Sequence, residues 1–161
     1  MSTQVRKSSA VSENPKSAVK QQAWLSNFVE KYQQLNVGDL DLLAEIYHQD
    51  IVFIDPMHQL RGLADLQQYF AKLFQRLSFC QFRIDNVIAQ ANEASVYWQM
   101  SYQHPRLNAE RLVHIQGCSH IKGQGERVLY HRDYLDLGAM LYEQLPIVGG
   151  LISWLKKRAS Q

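Results

Sequence analysis

Three polar side chains stand where chemistry could be done: Asp55, His131 and Asp133. Asp55 closes the apolar run of residues 51–54 and is followed by Pro56. A carboxylate at the end of a buried strand, held by a proline that stops the strand, can take a proton from carbon or orient a water. The plainer use of the same residue is to cap the Pro56 turn, because Asx side chains bond to backbone a short way ahead. His131 and Asp133 are two positions apart in an alternating run and so share a strand face. Leu129 and Leu135 fall on that face too, which marks it as buried. There a His and an Asp can form an acid/base pair that shifts each other's protonation. The structural alternative is an ion pair involving Arg132 or Arg83.

Around these stand the candidate walls of a pocket. Trp98, Met100 and Tyr102 alternate along one run and, with Phe53, would suit a hydrophobic ligand, although core packing is the commoner use of such a stripe. In the next run Val113, Ile115, Gly117, Ser119 and Ile121 oppose His114, Gln116, Cys118 and His120. With the apolar set turned inward, the two histidines lie on the outer sheet face. A metal would need a third and fourth donor that this spacing does not supply, so neither metal nor cofactor is expected.

The elements that must position these residues can be read from periodicity. Trp24, Leu25, Phe28, Val29 and Tyr32 recur at helical spacing over residues 23–34. Asp39 is placed to cap a second helix, residues 40–48. A strand follows at residues 51–55, then a third helix at residues 63–77 opened by Gly62. Strands are predicted at residues 79–89, 94–104 and 111–122. GQGE at residues 123–126 turns the chain into a last strand, residues 127–135. Helices first and a meander of strands afterwards predict an α+β fold, with helices on one face of a mostly antiparallel sheet. Residues 1–17, poor in large apolar side chains, read as a poorly ordered leader, and residues 18–136 as the domain. Residues 137–161 form a tail whose apolar stripe is interrupted by Pro146 and Gly149–Gly150, which predicts two short helices.

Composition narrows the function classes. With 161 residues, 46% hydrophobic and 20% charged, the chain can bury one core of useful size. A net charge of +2 gives no phosphate-tracking surface, so nucleic acid is not an expected partner. Cys80 and Cys118 lack ligand or redox spacing and read as reduced thiols. No signal-like or membrane-spanning run is present, and a cytoplasmic location is expected. The tail, apolar along one stripe and basic at Lys156, Lys157 and Arg158, suits a lid, a docked helix or a shallow membrane contact.

The segment NVGDLDLLAEIYHQDIVFIDPMHQLRGLADLQQYF (residues 36–70) and the ending YHRDYLD (residues 130–136) resemble the SnoaL-like and ketosteroid-isomerase-like superfamily, the nuclear-transport-factor-2-like class. The shared pattern is a Gly-Asp before the second helix, an acidic ending, His-Gln-Asp, before the first strand, Asp-Pro at that strand's end and a Gly opening the third helix, with the final strand YHRDYLD similar to the superfamily's last strand. It covers residues 24–136. The resemblance implies a cone-shaped fold with a deep pocket between helices and curved sheet, and a homodimer through the sheet face. In ketosteroid isomerases an Asp before Pro is the general base, which matches Asp55. The second carboxylate of that set falls on Ser119 here, and its Tyr falls at or beside Lys31, with Tyr32 one residue away. In limonene-epoxide-hydrolase-like members a Trp and an Asp occupy the positions of His131 and Asp133, but no Arg-x-Asp partner occurs in residues 95–103. Both sets are incomplete. The expectation is a cofactor-free enzyme acting by acid/base chemistry on a polyketide-, steroid- or lipid-like molecule, through Asp55, Asp133 and His131. Phe53, Trp98, Met100, Ser119 and Tyr32 would line its pocket. A non-catalytic binding protein or accessory subunit using the same cavity is the alternative.

Overall fold

The computed structural model describes residues 15–106 and 108–159. Helix α1 spans Pro15–Gln34, and residues 1–14 of the expected leader lie outside the described part. Its Trp24, Phe28 and Tyr32 are buried, as i, i+4 spacing requires of a single packed face. Helix α2, Leu42–Ile46, is shorter than predicted because Tyr47 is already extended (φ −107°, ψ 146°) and starts strand β1, Tyr47–Ile54. Asp39 does not cap α2: Asn36 donates to its carboxylate, and the N-cap position falls on Asp41.

The chain then turns at residues 55–58 into β2, Gln59–Arg61, a short edge strand with no periodic signal of its own. Gly62 adopts φ +89°, a conformation costly for any residue with a Cβ, and opens α3, Leu63–Phe74. Leu66, Phe70 and Phe74 form its buried stripe. Strands β3 (Phe79–Gln90), β4 (Glu93–Gln103), β5 (Val113–Gln124) and β6 (Arg127–Leu135) form the predicted meander.

The six strands make one sheet in the order β2-β1-β6-β5-β4-β3, with β1 parallel to β6 and all other pairs antiparallel. The fold is α+β, as expected. Bulges bend the sheet around the helices: besides a register shift between Tyr47 and Val52 of β1 against β6, two lie in the meander. One inserts Asp85 between Ile84, opposite Trp98, and Asn86, opposite Tyr97. The other leaves Leu129 without a partner, since Lys122 faces Tyr130 and Gly123 faces Val128. This second bulge changes the parity of β6, so Val128 shares the buried side with His131, whereas Leu129, predicted there, is half-buried.

On β5 the predicted inner set is the buried one: Val113, Ile115, Ser119 and Ile121 face the helices. The outer-face histidines are engaged with neighbours, His114 with Ser101 Oγ at 2.9 Å and His120 with Glu93 at 2.7 Å. After β6 come α4 (Leu137–Met140), a 3₁₀ turn (Tyr142–Gln144) and α5 (Pro146–Ala159). The glycine pair does not break α5. Pro146 stands at its first position, where no N–H is needed, and Gly149 lets the helix approach the turn so closely that a Cβ there would meet the Glu143 carbonyl at 2.3 Å.

Candidate active site

Between the helices and the inner face of the sheet lies an apolar cavity of about 230 Å³. Tyr32 from α1, Phe53 from β1, Tyr69 and Phe70 from α3, and Trp98 and Met100 from β4 line it. Two carboxylates reach this lining: Asp55, just past the end of β1, and Asp133 in β6. Each side chain is 10% exposed.

Asp133 is held by a chain of side chains behind the wall. Trp98 Nε1 donates to Ser119 Oγ at 2.7 Å, and Ser119 in turn donates to Asp133 Oδ1. His131 Nε2 lies 2.7 Å from the same Oδ1 and 3.1 Å from Ser119 Oγ. On the far side of the ring, Nδ1 lies 2.8 Å from the Tyr47 hydroxyl. A carboxylate can only accept, so the arrangement that satisfies every atom puts the imidazole hydrogen on Nε2 and makes Tyr47 the donor to Nδ1. Burial, and secondarily the nearby Asp133, pushes the Tyr47 phenol well above 10, which keeps it a donor. Among the described residues no partner meets Asp133 Oδ2, and Asp133 is the one member of this network besides Trp98 that lines the cavity.

His131 itself does not reach the cavity. It is fully buried, with the rings of Phe53, Phe28, Tyr47 and Tyr32 at centroid distances of 5.0, 5.7, 5.8 and 5.9 Å. Ser119 is likewise fully buried and stands behind the wall rather than on it. Neither Arg132 nor Arg83 joins the pair. Arg132 lies 5.0 Å over the Tyr134 ring, and Arg83 binds Asp85 at 2.8 Å.

Asp55 is held mainly by backbone. Oδ1 accepts from Met57 N and His58 N, both at 2.7 Å, closing the turn after Pro56. Oδ2 accepts from the Tyr69 hydroxyl. Burial first, and the bond to Asp55 second, raise the Tyr69 phenol far above its ordinary value. Tyr32, the residue one position from the family's tyrosine, turns its ring into the cavity lining, and burial lifts its phenol well above 10. The arrangement therefore offers one acceptor oxygen on Asp133 and a phenol donor on Tyr32 in the same apolar space.

Of the predicted residues, Asp55, Asp133, Phe53, Trp98, Met100 and Tyr32 share the cavity, while His131 and Ser119 support it from behind. Tyr47 and Tyr69 were not among the predicted site residues. Tyr69 lies in α3 among apolar residues, where a hydroxyl gives no periodic signal; Tyr47 stands at the end of the predicted second helix, which is in fact a strand start. The cavity also takes three residues of the tail, Leu137, Met140 and Leu141, and Tyr102 donates to the Met140 carbonyl. No helix among the described residues is long and apolar enough to cross a membrane.

Solved structures with the same architecture share little sequence. A hypothetical protein with a ketosteroid-isomerase-like fold from Catenulispora acidiphila, in complex with trimethylamine, is 10% identical, with 75% of this chain and 90% of that chain covered and a TM-score of 0.64. An M. tuberculosis LEH-like epoxide hydrolase is 16% identical over 84% of this chain and 91% of its own, with a TM-score of 0.62. A putative SnoaL-like polyketide cyclase from Jannaschia sp. CCS1 is 14% identical over 84% and 95%, with a TM-score of 0.61. At these identities the likeness establishes the fold alone. No curated protein matches the chain. The SnoaL-like domain, however, matches residues 28–131, from the buried Phe28 of α1 to the buried His131 of β6, and the chain belongs to that family.

Proposed function

We propose that the cavity takes a hydrophobic small molecule of polyketide-, steroid- or lipid-like character and that Asp133 acts on it as an acid/base group. The observation that carries this is the asymmetry of the carboxylate: Oδ1 is fixed by Ser119 and His131, Oδ2 meets no partner among the described residues, and Asp133 lines the cavity. A proton taken from a bound carbon acid or water would pass to Oδ2. The Tyr32 hydroxyl would donate to the oxygen on which negative charge develops. His131 is then a positioning residue, orienting Asp133 without touching the ligand, and Asp55 holds the rim of the cavity together with Tyr69. Relatives of the same fold described as a polyketide cyclase and an epoxide hydrolase are compatible with this chemistry.

A binding protein or accessory subunit is the second reading. It is favoured by the engagement of both Asp55 oxygens and by the burial of His131, which leave a single open carboxylate oxygen in the lining. Native mass spectrometry of the purified chain would identify a retained small molecule, and its turnover would then be followed with Asp133→Asn. Unchanged turnover in that variant removes the acid/base proposal; retention of an unaltered ligand with no turnover in either protein establishes the binder. We further propose a homodimer through the outer sheet face, where Tyr97 and Tyr134 are 43% and 51% exposed, and a cytoplasmic location. Sedimentation velocity with Tyr97→Glu checks the former: a monomer in both proteins excludes it.

A further inference from the structure

The segment after β6 closes the cavity and also carries an unpartnered apolar helix face. Leu137, Met140 and Leu141 complete the cavity wall. Immediately beyond, α5 packs chiefly against the Tyr142–Gln144 turn. Outward it presents Val148, Leu151, Trp154 and Leu155, between 38% and 57% exposed. Their spacing places them along one side of the helix. The last turn holds Lys156, Lys157 and Arg158, and α5 contains no acidic residue. Arg158 lies 5.5 Å over the Trp154 ring, so the cation and the indole share the border of the stripe. Lys156 reaches back to Glu143 and lies 3.6 Å from Asp136, the residue that caps α4. The cationic end is thus tied to carboxylates of the very segment that covers the cavity.

A helix with an apolar face, an indole at its border and a cationic last turn suits the headgroup layer of an anionic bilayer, where the apolar side sinks toward the acyl chains and the cations meet phosphates. A second copy of the chain fits less well. Four side chains on one helix offer less than the ~800 Å² per partner that a stable protein interface buries, and three cations would face three. We propose that α5 docks on anionic lipid and holds the tail side of the cavity against the membrane, so that a lipid-like molecule passes between bilayer and cavity. Lipid phosphates would compete with Glu143 and Asp136 for Lys156, loosening α4 and the turn from the cavity. The passage step rests on the reading of the cavity as a hydrophobic-ligand site; the docking step does not.

The test uses the full chain and vesicles of phosphatidylglycerol and phosphatidylcholine. The wild-type chain is expected to cosediment with mixed vesicles and several-fold less with phosphatidylcholine alone or at about 1 M salt, where the screening length falls to ~3 Å. Leu151→Glu with Leu155→Glu should stay in the supernatant with an unchanged circular dichroism spectrum, since both side chains are about half exposed. Equal sedimentation of wild type and the double variant overturns the proposal. So does a wild-type dimer that ignores vesicles and becomes monomeric in the double variant, which would assign the face to a second copy. Wild-type chain that binds vesicles but extracts no fluorescent fatty acid from them, and holds no ligand by native mass spectrometry, overturns the passage step and the cavity reading while docking stands.

Discussion

The two carboxylates in the cavity wall are anchored by different parts of the chain. Asp55 is held by its own neighbourhood in sequence: two backbone N–H groups within three residues take one oxygen, and Tyr69 takes the other. Asp133 is held by side chains alone: Ser119 from β5 and His131 from its own strand on one oxygen, with Tyr47 and Trp98, distant in sequence, behind them. A locally saturated carboxylate serves the turn. One fixed through a single oxygen keeps the other for a ligand. The aspartate before proline is thus engaged at both oxygens, while Asp133, next along the same β1–β6 register, carries the proposed reacting group.

Alkali attacks both carboxylate corners at once, because a buried tyrosine backs each: Tyr47 behind His131 and Tyr69 on Asp55. Both, together with Tyr32, have folded values raised above 10. The folded protein thus keeps protons that the unfolded chain releases. Their contribution is whole below pH 10 and is lost as pH rises above it, toward the folded values. Each such tyrosine should lower stability by up to ~1.4 kcal/mol per pH unit in that range. Urea unfolding at pH 9, 10 and 11 measures this, and a flat profile would mean that the three phenols ionise freely in the folded state.

Asp133→Asn separates the corners most sharply in function. Turnover of the cavity's substrate should fall about 100-fold or more, equivalent to ~2.7 kcal/mol, with the fold intact by circular dichroism. Gly117→Ala strikes the same corner through packing. A Cβ there would meet the Trp98 ring at 2.3 Å, forcing the indole off its bond to Ser119. Overpacking of this kind costs about 1–3 kcal/mol, readable as a lowered urea midpoint. Tyr47→Phe leaves His131 Nδ1 buried without its donor and should cost about 1–2 kcal/mol, with turnover reduced less than in Asp133→Asn. The smallest effect is expected for Asp55→Asn. Asn keeps an oxygen for the turn, so turnover should stay within a few-fold; a 100-fold loss would make Asp55 the reacting group and reverse the comparison.

Much of the architecture was legible because it rests on period. The pattern of β4, with Ala94, Val96, Trp98 and Tyr102 turned inward, and the inner set on β5 follow from alternation along long runs. Alternation failed where a bulge intervened: opposite Gly123, β6 gains a residue and Val128 replaces Leu129 inside. Helix periodicity also overran its end at Tyr47, because the pull of a buried hydrogen bond to His131, 84 residues away, has no local trace. The same blindness applies to Tyr69, whose hydroxyl finds Asp55 only after α3 packs beside β1.

What the amino-acid order determined by itself was each side chain's type and its face on a strand or helix, and hence the α+β class and the set of residues able to act. It could not determine which of two aspartates keeps a free oxygen, or that His131 stands behind the cavity rather than in it. Those depend on hydrogen bonds and burial between residues far apart in sequence, and only the assembled sheet, bent at its bulges around α1 and α3, brings the partners within reach.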